Sequence, residues 1–163
     1  MRPFAEDDMT QALRSYFDDY AAHHATAGNR ACHQVGIPLI VLSTFALLGK
    51  VALFQAGGFT VTAAELVLLA ATAYYLTLDR ALALMMAAAS VLMIAAGRFI
   101  GVWPALAVFV FGWILQFIGH YVYEKRSPAF FQNLTHLLVG PLWILAKATG
   151  RTGSPTATAQ ATE

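Results

Sequence analysis

The sequence predicts an all-α protein: an integral membrane helical bundle of about four transmembrane helices, with an N-terminal amphipathic helix and a C-terminal re-entrant or interfacial helix. Three observations predict it. Of 163 residues, 58% are hydrophobic, against roughly 45–50% in ordinary soluble domains. Charged residues make up only 12% and the mean hydropathy is +0.60. The charges are also segregated, because only Lys50, Glu65, Asp79, Arg80 and Arg98 lie between Gly36 and Ile118. These features exclude a disordered chain, which needs low hydrophobicity and high charge. A formal net charge of +1 gives no electrostatic basis for binding nucleic acid. The single cysteine, Cys32, excludes an internal disulfide and a multi-cysteine metal cluster. One membrane-embedded domain over residues 1–148 is expected, followed by a small, polar, disordered tail over 149–163.

The head begins MRPFAEDDMT and has no basic stretch followed by an apolar run, so no signal peptide is expected. Residues 6–25 read as an amphipathic helix. Glu6, Asp7 and Asp8 open it, where the helix dipole favours acids. Met9, Leu13, Tyr16, Phe17, Tyr20 and His24 then recur at spacings of three and four on one face. Gly28-Asn29 is expected to break it, with Gly as a C-terminal cap and Asn as the next N-terminal cap.

A span needs about 20 mostly apolar residues. Candidate spans run over 37–55, 61–78, 81–100 and 104–123, separated by Ala56-Gly57-Gly58, Asp79-Arg80 and Gly101-Val102-Trp103-Pro104. The interruptions in the first two also admit a hairpin lying part-way into the membrane. With four spans both termini share a side. That side would hold eight basic residues against Lys50 and Arg98 on the other, which favours cytoplasmic termini. Glu65 and Arg98 fall near the outer ends of their helices and are candidates to pair. Past the fourth span, Ser127-Pro128 ends the helix. Residues 134–146 are too few to cross and carry Gly140-Pro141 in their middle, so an interfacial or re-entrant helix is expected.

On this topology all five histidines, His23, His24, His33, His120 and His136, reach the cytoplasmic boundary. Neutral imidazole is a good ligand for iron, zinc and copper. A single boundary histidine is ordinarily an interfacial anchor; the convergence of several favours a metal site, with His23 and His136 its weakest members. His120 and Glu124 are four apart, Gln116 is one turn earlier on the same face, and Asn29 and His33 are four apart. Three short segments can thus supply ligands and the hydrogen bonds that orient them. No HExxH motif is present.

Two blocks carry a resemblance. They are His24-x4-Asn29-x3-His33-x2-Gly36-Ile37-Pro38 and Trp113-x2-Gln116-Phe117-Ile118-Gly119-His120-x3-Glu124-Lys125-Arg126-x-Pro128-Ala129. Together they resemble the Mpo1-like family of small multi-span proteins. The likeness runs from about Tyr20 to Leu145, and its second block, QFIGHxxxEKRxPA, is the more specific. The fungal member is a 2-hydroxy fatty acid dioxygenase of the endoplasmic reticulum that uses Fe(II) in fatty acid α-oxidation. The resemblance implies that His24, His33 and His120 are iron ligands, with His136 added to the candidate set. Glu124 then either completes the shell or orients a histidine, and Asn29 and Gln116 hydrogen-bond behind the ligands. Lys125 and Arg126 are candidates to attract the substrate carboxylate. The implied partners are a 2-hydroxy fatty acid, O2 and membrane lipid. The implied location is the inner membrane of a bacterium or the endoplasmic reticulum of a eukaryote. A zinc-dependent lipid hydrolase and a non-enzymatic membrane protein are the rival expectations.

Overall fold

The computed structural model describes residues 9–131 and 133–152. Glu6, Asp7 and Asp8, and residues 153–163 of the expected tail, lie outside them. Six α-helices and one two-stranded hairpin are formed among the described residues: α1 (Gln11–Ala22), α2 (Ala27–Leu48), β1 (Ala52–Ala56), β2 (Phe59–Thr62), α3 (Ala63–Leu76), α4 (Arg80–Gly97), α5 (Val102–Phe117) and α6 (Thr135–Ala148). A π-helical segment, Ile118–Glu124, continues α5. Among the described residues, three stretches are long and apolar enough to cross a membrane: Ala27–Leu48, Arg80–Gly97 and Val102–Glu124. The expected second span is a 14-residue apolar helix, α3.

The head buries most of the stripe read from its spacing: Met9, Leu13, Phe17, Tyr20 and His24 are buried, and Tyr16 is half-buried at its edge. It ends earlier than expected. The helix breaks at His23, and Thr26, not Asn29, caps α2 by accepting from the Asn29 N–H. Gly28 and Asn29 lie inside the first turn of α2. The reason is non-local: the Glu124 carboxylate accepts from the Ala25 and Thr26 N–H groups at 3.0 and 3.1 Å. These are donors that a helix start leaves free.

After α2 the chain forms an antiparallel hairpin turning at Gly57 and Gly58, both at positive φ (55° and 80°), a backbone state that glycine tolerates. The sequence predicts the break at Ala56-Gly57-Gly58 but not the strands, since residues 52–55 and 61–62 read as ends of the first two spans. Thr62 and Glu65 then form a capping box for α3. Arg98, closing α4, pairs with Glu65 at 3.5 Å, which is the expected partnership. At the other end Asp79 caps α4 by accepting from the Leu82 N–H.

α2 and α5 meet through small residues, the way apolar helices approach closely in lipid. A Cβ on Gly112 would sit 2.7 Å from Ile40 Cγ1 and 3.0 Å from the Gly36 carbonyl. α1 and α6 pack across the Asp79 end of the bundle, burying Leu13, Phe17, Leu82, Leu142 and Trp143 together. The break expected at Gly140-Pro141 does not occur, since α6 runs unbroken through Pro141. Tyr75 donates its hydroxyl to the Leu138 carbonyl in the turn before the proline, and Gly140 lets α6 close onto Ile37 and Tyr20. Residues 149–152 carry on from α6, and Arg151 reaches Asp79 at 3.5 Å.

Candidate metal centre

Three histidines from three separate elements meet at the end of the bundle under α1 and α6. His24 follows α1, His33 lies two turns into α2, and His120 stands in the π segment. Their ring centroids are 4.4 Å (His24–His33), 5.1 Å (His24–His120) and 4.8 Å (His33–His120) apart. Each offers a ring nitrogen, and all three nitrogens lie within 4.8 Å of one another. The residues are 4%, 4% and 2% exposed.

The ring orientations suit a cation. His24 Nδ1 donates to the Tyr20 carbonyl at 2.6 Å, and His33 Nδ1 to the Asn29 carbonyl at 3.0 Å. With Nδ1 carrying the proton, each Nε2 keeps its lone pair, the arrangement usual in metal-bound histidine. His24 Nε2 and His120 Nδ1 are buried with no hydrogen-bond partner. Buried polar atoms ordinarily find one, so these orphaned nitrogens fit a metal ion. Burial pushes the His24 imidazole down to about 4, which keeps it neutral, the form that ligates.

Around this centre the structure sorts the predicted residues. Asn29 is fully buried and donates to the His23 carbonyl and to Glu124. Glu124 engages the start of α2 with both oxygens, adding the Thr26 hydroxyl at 2.7 Å to its backbone contacts. Its negative charge thus stands at a helix N-terminus, where the dipole favours it. It holds the His24–Thr26 corner against the π segment. Gln116 is buried on the wall of the cavity that the histidines line. His136 is not among the three clustered histidines. Its Nε2 lies 2.9 Å from the Asp19 carboxylate, with the Tyr20 ring beside it. His23 pairs with Asp19 at 3.5 Å. Lys125 and Arg126 are exposed, and neither lines the cavity.

Two residues escaped the sequence reading. Tyr20 had been placed on the apolar stripe; its ring stacks on His24 at 3.9 Å and 14° and lines the cavity. Gly119 lets the π segment touch α2, since a Cβ there would collide with Asn29 Oδ1 and come within 3.1 Å of His33 Nδ1. The four-residue offset from Tyr20 to His24 was visible, but it served equally well as a packing stripe. Beyond the histidines the cavity is largely apolar, walled by Ile37, Ile40, Val41, Trp113, Phe130 and Leu137.

The family described as Mpo1-like, 2-hydroxy-palmitic acid dioxygenase Mpo1-like, matches residues 10–152. A curated relative from Saccharomyces cerevisiae, named 2-hydroxy-palmitic acid dioxygenase MPO1, is 29% identical over 134 residues, covering 82% of this chain and 77% of its own. No solved structure matches the chain significantly.

Proposed function

The chain belongs to the Mpo1-like family, and from that premise we propose that it is an Fe(II)-dependent dioxygenase cleaving 2-hydroxy fatty acids by α-oxidation. The observation that carries this reading is the trio of buried imidazoles, two of them with a ring nitrogen that finds no partner among the described residues, opening on an apolar cavity. In the reaction R–CH(OH)–COOH and O2 become R–COOH, CO2 and H2O, so atoms balance with one O2 per substrate. The C1–C2 bond breaks and the substrate is oxidised while O2 is reduced.

His24, His33 and His120 would hold the iron. Bound there, ferrous iron supplies the redox-active Lewis acid that lets O2 react with a hydroxy acid. The chain does the rest. The carbonyls of Tyr20 and Asn29 fix two imidazoles in one tautomer. Glu124 ties the π segment to α2 and so acts as a positioning residue. The wall of Ile37, Ile40 and Leu137 takes the acyl chain and excludes water. Burying each CH2 there is worth about 0.8 kcal/mol, which favours long chains. Exposed Lys125 and Arg126 draw anionic substrate and lipid headgroups to this end. His136, tied to Asp19, closes the cavity beside Tyr20.

The proposed setting is a four-span bundle with both termini cytoplasmic, one domain over 1–148, in a bacterial inner membrane or an endoplasmic reticulum. α3 spans about 21 Å at 1.5 Å per residue over its 14 residues, short of a hydrocarbon core of about 30 Å. Yet it starts beside Arg98 at one end of α4 and finishes at Asp79 at the other. Together with the residues that join it to β2 and to Asp79, it is proposed to cross beside α4 as the fourth span. α6, also of 14 residues, is proposed to lie at the interface.

The test is turnover of 2-hydroxyhexadecanoate by iron-loaded, detergent-solubilised protein under air. Pentadecanoate and CO2 are expected in equal amounts, with none formed under argon. Absence of pentadecanoate from iron-loaded protein under air would end this reading, and O2-independent hydrolysis of a phospholipid ester by the zinc-loaded protein would favour a hydrolase instead.

A further inference from the structure

Gln116 is an unusual residue for its place. It sits in a strongly apolar helix, is 4% exposed, and its Nε2 is buried without a hydrogen-bond partner among the described residues. An unpaired buried amide costs on the order of 1–3 kcal/mol. The fold nevertheless makes room for it, since any Cβ at Gly36 would collide with Gln116 Nε2. Tyr20 repeats the pattern. It is 3% exposed and its hydroxyl is buried without a partner. Gly140 stands behind it, where a Cβ would lie 3.3 Å from that hydroxyl. Buried tyrosine hydroxyls ordinarily find a partner. Both side chains line the cavity that holds His24, His33 and His120.

We propose that the Gln116 amide and the Tyr20 hydroxyl grip the polar end of the substrate and select a 2-hydroxy acid over a plain fatty acid. This rests on the function proposed above. A 2-hydroxy acid presents a carboxylate next to a hydroxyl, which together need donors and an acceptor. Gln116 donates from Nε2 and accepts at Oε1, and Tyr20 donates. The exposed cations Lys125 and Arg126 are off the cavity wall, so within it neutral groups hold the head. A site that leaves polar groups unpaired without a substrate hydroxyl rejects the analogue lacking it more strongly than an apolar pocket does.

The experiment compares wild type, Gln116→Met and Tyr20→Phe as full chains in detergent. It measures metal content, Tm, and the Kd for 2-hydroxyhexadecanoate and for hexadecanoate. Both substitutions keep the shape and remove only an unpartnered polar group, so Tm should hold or rise and metal content should not change. Affinity for the hydroxy acid should fall about tenfold or more, the scale of one hydrogen bond to a charged group, and the preference over hexadecanoate should shrink. Unchanged affinities in both variants, or a falling Tm in both, would overturn the assignment, the second by showing a structural role. Wild type that binds the hydroxy acid selectively but does not cleave it under air sinks the dioxygenase reading and leaves the grip standing. Cleavage with both variants unaffected does the reverse.

Discussion

Glu124 shows how one side chain organises the site without facing it. Its carboxylate accepts from two backbone N–H groups, the Thr26 hydroxyl and the Asn29 amide, some 95–99 residues away in sequence. Glu124→Gln replaces one acceptor oxygen by a donor among donors. Loss of a helix cap of this kind costs about 1 kcal/mol, so Tm should fall modestly and metal affinity should fall with it. A thermal melt and a metal titration check both, and an unmoved melt with full affinity would show that the corner stands by itself. The sequence exposed His24, His33, His120 and Glu124 as a candidate group because spacing and side of the membrane are local properties. It marked His136 as a weak member of the set without excluding it. That distinction depends on Asp19 lying 2.9 Å from His136 Nε2, a contact between elements. Nor did spacing tell the Glu124 role, since a carboxylate four residues from a histidine fits a ligand and a cap equally.

At the scale of elements, the π segment does what a straight continuation of α5 was expected to do, and places His120 against α2 through Gly119. Gly119→Ala would drive a methyl group into Asn29 and toward His33 Nδ1. Overpacking of this sort costs about 1–3 kcal/mol. Metal affinity should drop at least tenfold while far-UV circular dichroism keeps its helical signal; wild-type affinity would refute the close approach. At the far end, Glu65 serves both the capping box of α3 and the pair with Arg98. Arg98→Glu alone should destabilise slightly, because exposed pairs are worth about 0–1 kcal/mol. Glu65→Arg alone should cost more, since it also removes the cap. The double reversal should recover the pair but not the cap; full recovery would show that the cap contributes nothing. The helices were legible from apolar runs, and the turn at Gly57-Gly58 from its glycines. The β-hairpin was not, because Val51, Leu53 and Phe54 read as the apolar end of the first span.

Over the whole molecule, two ends differ in kind. The hairpin, Lys50, Glu65 and Arg98 gather at one. The histidines, α1 and α6 gather at the other, about 22 Å away along the 15 residues from His33 to Leu48 at 1.5 Å each. In a Cys32→Ala background, Gln55→Cys should react with an impermeant maleimide from the outer face and Thr152→Cys only from the cytoplasmic face. Labelling of both from one side would overturn the four-span topology. That Lys50 and Arg98 fall at the end opposite the histidines was legible from their positions along the chain before any packing is known. Packing decides which imidazoles share a centre. The most direct measurement is therefore iron per chain in protein purified in detergent, for wild type and for His24→Ala, His33→Ala, His120→Ala and His136→Ala. About one iron is expected in wild type and in His136→Ala, and little in the other three. Wild-type iron in any of those three, or no iron in the wild type after ferrous loading, would contradict the account.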